Sequence, residues 1–280
     1  MSQPTKFTTP PPHQTYALIS FPSPHILLVT LNRPASLNCI NNAGHVELHA
    51  LWEWFDAEPS LRVAVITGKG RAFCAGQDLK EWNTNNTTNQ TKRLDTPPSG
   101  FAGISRRTGK KPIIAAVNGP CLGGGTELII NTDLVLASAR HSYFALPEVK
   151  RGVVAIAGGL PRLVRTVGKQ RAMEMALTGR TVSPLEAEKW GLVNEVVDGE
   201  PDAVVKRAVE VAEMIAGNSP DAVIVSREGV KMGWEGLGAE DGSRLLIDAW
   251  EGRLYAGENM KEGVRAFVEK RNPRWVDTKL

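Results

Sequence analysis

The sequence predicts an α/β chain, a largely parallel and buried sheet followed by a helical C-terminal region. Two observations carry this. Four short apolar runs, rich in β-branched residues, recur between residues 26 and 137 and are separated by stretches long enough for helices. From about residue 158 the apolar positions change to helical spacing.

The elements follow in order. Residues 26–31 (ILLVTL) read as a strand closed by Asn32-Arg33-Pro34. Residues 43–57 read as a helix with Val46, Leu51, Trp52 and Phe55 on one face. Residues 63–68 (VAVITG) are a second strand ending at glycine, 113–117 (IIAAV) a third closed by Asn118-Gly119, and 134–137 (LVLA) a fourth. Their spacing is irregular, so a regular doubly wound sheet does not follow. Residues 82–109 interrupt the order. They are polar and Asn/Thr-rich, and read as a long mobile loop or a weakly held helix. The Asn-x-Thr triplets at Asn85, Asn86 and Asn89 are read as composition. Residues 201–216 place Val204, Ala208, Val211 and Ile215 on one stripe, with Pro201 suited to a first helical turn. Residues 219–233, 238–256 and 258–270 continue as helices, packed outside the sheet or against a partner subunit.

Composition bounds the function. The chain has 280 residues, and 33 Lys+Arg against 30 Asp+Glu leave a charge of +3. This is no nucleic-acid signature, because phosphate binding needs a clustered basic surface. No apolar run approaches the ~20 residues of a membrane span. Cys39, Cys74 and Cys121 lack CxxC spacing, which argues against a disulfide framework or a metal site and for a reducing compartment. Residues 1–14 read as a disordered lead-in with neither signal-peptide nor transit-peptide character. Thr278-Lys279-Leu280 differs by one hydroxylated residue from the peroxisomal Ser-Lys-Leu address, so the expected location is peroxisomal, otherwise cytoplasmic.

Three glycine features compete as a site. Gly68-Lys69-Gly70 follows a strand, but Phe73 stands where a dinucleotide fingerprint needs its last glycine. Gly123-Gly124-Gly125 lacks the Gly-Lys-Ser/Thr of a phosphate loop. Gly158-Gly159 is a lone pair opening a helix. The triple glycine sits between the third strand and Leu128-Ile129-Ile130, a helical stretch. It leaves backbone N–H groups uncovered where the helix dipole places roughly half a positive charge. Such a spot suits an anion formed during a reaction; the alternative is a tight turn for close packing. The small-residue run 72–79 (AFCAGQDL) follows the second strand in the same way, with Asp78 able to cap the next turn. Two such loops converging on one oxygen make an oxyanion hole. Glu127, just past the glycines, and Glu148, after Pro147, have neighbours suited to a partly buried pocket. Two carboxylates beside such a hole suit general acid–base work on water. The five histidines show no metal spacing, since HVELH is not HExxH, and read as ordinary surface or core residues. No GxSxG elbow is present.

The run Asn32-Arg33-Pro34, then AFCAGQDLKE at 72–81, then Asn118-Gly119 through Gly123-Gly124-Gly125-Thr126-Glu127-Leu128, then Pro147-Glu148, resembles the enoyl-CoA hydratase (crotonase) superfamily. The segment 266–271 (AFVEKR) is similar to that family's closing segment, and the likeness spans about residues 16–275. The resemblance implies a crotonase-like spiral of ββα turns over 15–198 and a helical trimerisation region over 199–280. It implies a homotrimer, or a hexamer as a dimer of trimers. It implies an acyl-CoA thioester substrate, with coenzyme A entering only as part of that substrate and no separate cofactor or metal. The backbone N–H groups of Gln77 and Gly124 would hold the thioester oxygen as an enolate forms. Glu127 would hold and activate water, and Glu148 would deliver or accept the α-carbon proton. The substrate contacts would be Arg33, Leu37, Ala75, Gln77, Asp78, Leu79, Lys80 and Gly124. With both glutamates present, the implied reaction is hydration of a 2-enoyl-CoA to a 3-hydroxyacyl-CoA, or the reverse. An isomerase, a CoA-ester hydrolase, or a non-catalytic CoA-ester- or RNA-binding member is the alternative. Gln77 stands where a small residue is usual, and Ala155-Ile156 where Pro-Gly is frequent, so the acyl pocket is expected to differ. Residues 82–109 fall where relatives place a flexible lid.

Overall fold

A computed structural model describes residues 7–87 and 96–280. Its elements, in chain order, begin with β1 (Ala17–Ser20), β2 (Ile26–Leu31), α1 (Asn42–Ala57), β3 (Val63–Gly68) and α2 (Leu79–Thr87). Next come β4 (Ile113–Val117), β5 (Pro120–Leu122), α3 (Gly124–Ile130), β6 (Leu134–Ser138) and β7 (Tyr143–Ala145). The rest are α4 (Gly159–Val167), α5 (Lys169–Thr178), α6 (Pro184–Trp190), β8 (Glu195–Val197), α7 (Pro201–Ala216), α8 (Pro220–Trp234), α9 (Ala239–Ala256) and α10 (Glu258–Val268).

The main sheet runs β1-β2-β3-β4-β6-β8, with β1 antiparallel to β2 and every other pair parallel. Its central strands are apolar at nearly every position because both faces are covered. Alternate residues serve the two faces. Leu27, Val29, Ala64, Ile66, Ala115 and Val117 join the core under α1. Ile26, Val63, Val65, Ile114 and Ala116 join a second cluster with Val204, Ala208, Ala212 and Ala216 of α7. The α7 stripe therefore advances by four residues through small side chains, which lets that helix lie close on the sheet. Val211 and Ile215 flank it. α7 thus belongs to the sheet's core, although it falls in the stretch read as the helical tail.

A second wall repeats beside the sheet. β5 pairs in parallel with β7, and single bridges join Ile40 to Gln77 and Cys74 to Cys121. Each turn gives one strand to the main sheet, a short extended piece to this wall, and then a helix. That is the expected spiral of ββα turns. The short wall pieces carry no alternation long enough to be seen in the sequence.

Three local readings change. Val46 is 56% exposed; the buried face of α1 is His45, Leu48, Leu51, Trp52 and Phe55. Residues 82–109 are not one loop. Residues up to Thr87 continue α2, whereas Phe101, Ala102, Ile104, Ser105 and Arg107 are buried. The Asn89 triplet lies outside the described residues. In the stretch read as a lead-in, Phe7 packs on Phe21 (4.7 Å) and Trp54 (5.4 Å), and the Trp54 indole donates to the Thr9 carbonyl at 2.9 Å.

Candidate active site

The loops leaving β3 and β4 meet at the second wall. The Gly76 carbonyl accepts from Ile40 N–H and the Asp78 N–H donates to the Ile40 carbonyl, each at 3.0 Å. Alternate backbone groups of an extended segment point in opposite directions, so the Gln77 N–H between them faces away from Ile40. On that side lies Gly124, the first residue of α3, whose N–H has no intrahelical acceptor. Gly76 adopts φ +93°, and a Cβ there would lie 3.2 Å from the Gly124 nitrogen. The two donors expected to form an oxyanion hole are therefore brought side by side. Asn118 ties the same loops together: its amide donates to the carbonyls of Gly68 (2.8 Å) and Gly70 (3.0 Å), and its oxygen accepts from Gly68 N–H (3.1 Å).

Glu127 projects from the first turn of α3 and is only 3% exposed. Its Oε1 accepts from the Gly159 N–H at 2.9 Å. Burial pushes its carboxyl up to about 7, the nearby Glu148 charge adds to this, and the Gly159 N–H opposes it. Glu148 sits in a 3-10 turn opened by Pro147. Burial raises its carboxyl as well, and its Oε2 is buried without a partner among the described residues. Both carboxyls thus resist ionisation, and the charge of Glu148 adds to the resistance of Glu127.

Both carboxyls, Ala75, Gln77, Leu79 and Gly124 line one cavity of about 310 Å³. Phe101, Val154 and Ile156 supply apolar walls. Arg33, Leu37, Asp78 and Lys80 do not line it. Arg33 pairs with Asp78 at 2.9 Å and donates to the Cys39 carbonyl at 2.7 Å. Asp78 also caps α2 through Lys80 N–H at 3.2 Å. Leu37 accepts from Ala75 N–H at 3.0 Å, and so positions the loop. A larger groove, about 850 Å³, lies between α8 and the N-terminal end of β6. Its ionisable side chains are Asp133, Arg227 and Lys231, and the first two pair at 2.6 Å. It lacks a carboxylate pair, so the smaller cavity is the candidate active site.

Three contributors have roles that the sequence reading did not assign, although it noted Gly158-Gly159 as a glycine pair opening a helix. Gly159 holds Glu127, and a Cβ there would stand 2.6 Å from Glu127 Cγ. Phe101 packs against Gly124. His45, read as ordinary, places Nε2 2.8 Å from Gln77 Oε1. Cys74 and Cys121 are fully buried; burial pushes the Cys74 thiol up to about 12 and the Cys121 thiol well up. Neither forms a thiolate near neutral pH, in keeping with a packing role.

The chain matches the enoyl-CoA hydratase/isomerase family over residues 23–278. It is 56% identical over 263 residues to the mevalonyl-coenzyme A hydratase of Aspergillus fumigatus, covering 94% of this chain and 96% of that one. It is 52% identical over 280 residues to the mevalonyl-coenzyme A hydratase of Beauveria bassiana, covering 98% and 99%. The crystal structure of an enoyl-CoA hydratase from Mycobacterium tuberculosis matches the fold with a TM-score of 0.84 at 35% identity, covering 95% of this chain and 100% of that one. With the family matched along nearly the whole spiral and its helical end, the chain belongs to the enoyl-CoA hydratase/isomerase family.

Proposed function

We propose that this chain is an acyl-CoA hydro-lyase that interconverts a 2-enoyl-CoA and a 3-hydroxyacyl-CoA. The observation that carries the reading is the pair of buried carboxyls, Glu127 and Glu148, in one cavity with the convergent N–H groups of Gln77 and Gly124. The thioester oxygen accepts from both N–H groups, which stabilise the negative charge that develops there. Glu127 takes a proton from water as its oxygen adds to the β-carbon. Glu148 delivers a proton to the α-carbon. The reverse sequence removes water. The raised carboxyls suit this work, because burial brings their protonated and ionised forms closer in free energy than in water. The names of the two fungal relatives support mevalonyl-CoA, a β-branched 3-hydroxyacyl-CoA with a second hydroxyl at the chain end, as the hydrated partner.

The test is Glu148→Gln. Turnover of a 2-enoyl-CoA should fall by orders of magnitude while CoA-ester binding persists. Near-normal turnover would overturn the assignment. Mass analysis of products separates hydration, which adds one water, from isomerisation or thioester hydrolysis.

Two further readings belong here. Self-association into a trimer or hexamer is supported by α9, which buries none of its residues in the single chain. Peroxisomal location is supported by the Thr278-Lys279-Leu280 sequence alone. Thr278 is buried and its hydroxyl donates to Asp221, so a receptor reads the tail only after its release. Unchanged location after deletion of Thr278–Leu280 would refute this. No helix among the described residues is long and apolar enough to cross a membrane.

A further inference from the structure

His45 fixes which way the Gln77 carboxamide points. The Ala102 backbone N–H donates to His45 Nδ1 at 3.0 Å, so that nitrogen carries a lone pair. The ring is buried among α1, Phe101 and the 101–103 turn, with the Phe101 ring edge-on at 4.8 Å. Burial lowers its basicity, which keeps it neutral. Its single proton therefore sits on Nε2, which donates to Gln77 Oε1 at 2.8 Å. With the oxygen committed to His45, the Gln77 amide nitrogen is turned away from it. That nitrogen is buried and has no partner among the described residues.

A buried amide donor left unpaired is costly, and native proteins rarely keep one without use. This one belongs to a residue that lines the acyl cavity. The same residue offers its backbone N–H to the thioester oxygen.

We propose that the Gln77 side chain, held by His45, is the specificity-determining donor that receives a hydroxyl on the distal part of the acyl chain. The proposal rests on the hydratase reading and on the hydroxylated substrate proposed with it, and assigns the residue that would recognise that hydroxyl. The donor and its support are both uncharged, which suits a neutral hydroxyl. The cations that line the cavity, Arg106 and Arg151, are solvent-exposed, so a distal carboxylate would have to reach them and not Gln77. Apolar acyl chains leave the donor unpaired.

The experiment compares 5-hydroxy-3-methylpent-2-enoyl-CoA with 3-methylpent-2-enoyl-CoA in the wild type and in Gln77→Met, which keeps the backbone N–H and the side-chain length. The wild type should favour the hydroxylated ester by about tenfold or more in kcat/KM, because a site built to bond a hydroxyl rejects the analogue lacking it. In Gln77→Met the ratio should fall towards one, whatever happens to each rate separately. His45→Leu, which frees the carboxamide, should lower the ratio by a smaller factor. An equal preference in wild type and Gln77→Met, or none in the wild type, overturns the proposal while leaving the hydratase reading intact. Failure of the wild type to hydrate either ester overturns that parent reading instead. Should the variant not fold, inhibition of the wild type by 5-hydroxy-3-methylpentanoyl-CoA against 3-methylpentanoyl-CoA decides. Equal inhibition by the two refutes the role of the hydroxyl. A 4-carboxy analogue that outcompetes the hydroxylated ester also refutes it, and points to the arginines.

Discussion

Gly76 and Gly124 lie backbone against backbone. A Cβ on Gly76 would stand 2.9 Å from the Leu122 carbonyl oxygen and 3.2 Å from the Gly124 nitrogen. The residue also holds φ +93°, a conformation that side chains rarely adopt. Gly76→Ala must therefore strain its own backbone and push the two loops apart. The N–H pair would no longer aim at one oxygen. Loss of one such donor typically lowers kcat by roughly 10²–10³-fold. Steady-state hydration, measured on variant protein with wild-type circular dichroism, checks this; retention of half the wild-type kcat would contradict it.

Glu127 should destabilise the fold at neutral and alkaline pH. Its carboxyl titrates near 7 in the folded chain against an ordinary value of 4.5. Between those two values the unfolded chain binds fewer protons than the folded one, so stability falls as pH rises through the window. The deficit is complete above about pH 7 and amounts to about 3 kcal/mol. Glu127→Gln removes the titration and keeps a carbonyl oxygen for the Gly159 N–H. The variant should melt several degrees above wild type at pH 8, with the gap closing towards pH 4.5. A gap independent of pH would show that ionisation is not its cause.

The sequence carried the fold wherever burial was continuous. The runs of β2, β3, β4 and β6 read as strands because both sheet faces are covered, and polar residues enter only towards their ends, at Thr30, Thr67 and Ser138. β5, β7 and β8 are three residues each, too short for any periodicity. On α1, the exposed Val46 and the buried His45 reverse what hydrophobicity alone suggests, because the His45 ring is satisfied on both nitrogens. At the site, Glu127 and Glu148 stood out by residue type and neighbours, whereas Gln77 and Gly124 were reached through the family resemblance. The supporting roles of Gly159, Phe101 and His45 were not legible, since they depend on contacts across 23 to 57 positions that local pattern cannot register.

Asp78 links two tasks that one substitution should uncouple. It caps α2 through the Lys80 N–H and holds the half-buried Arg33 by an ion pair. Asp78→Ala removes the cap, at a cost of about 1 kcal/mol, and leaves the Arg33 guanidinium with the Cys39 carbonyl and the Tyr16 ring but no counter-charge. Asp78→Asn keeps a capping oxygen and loses the charge. Thermal melting should show the alanine variant below the asparagine variant, and the asparagine variant below wild type. If Arg33 and Lys80 contact the nucleotide end of the substrate, both variants also raise KM for acyl-CoA. Identical melting temperatures in all three proteins would remove the structural role assigned to Asp78.

The C-terminal helices present apolar side chains that a lone chain would leave wet. On α9, Leu245, Ile247 and Tyr255 are 48%, 53% and 57% exposed, and on α10 Val264 and Phe267 are 56% and 86% exposed. Scattered exposed apolar residues are ordinary, but two successive helices that share them along one end of the chain mark an interaction surface. The proposed self-association would cover this surface, and the tail beside it is strapped to the body of the chain. Asn259 donates to Asp221 and the Val276 carbonyl, and the Trp275 indole donates to the Gly217 carbonyl. At micromolar concentration the protein should sediment as a multiple of the 30.4 kDa chain. Ile247→Asp combined with Phe267→Asp places two charges on this surface, and burying an unpaired carboxylate in a subunit contact would be strongly unfavourable. The double variant should shift to smaller species while keeping its helical content. A wild type that sediments at the mass of one chain would mean that these helices serve some surface other than their own copies.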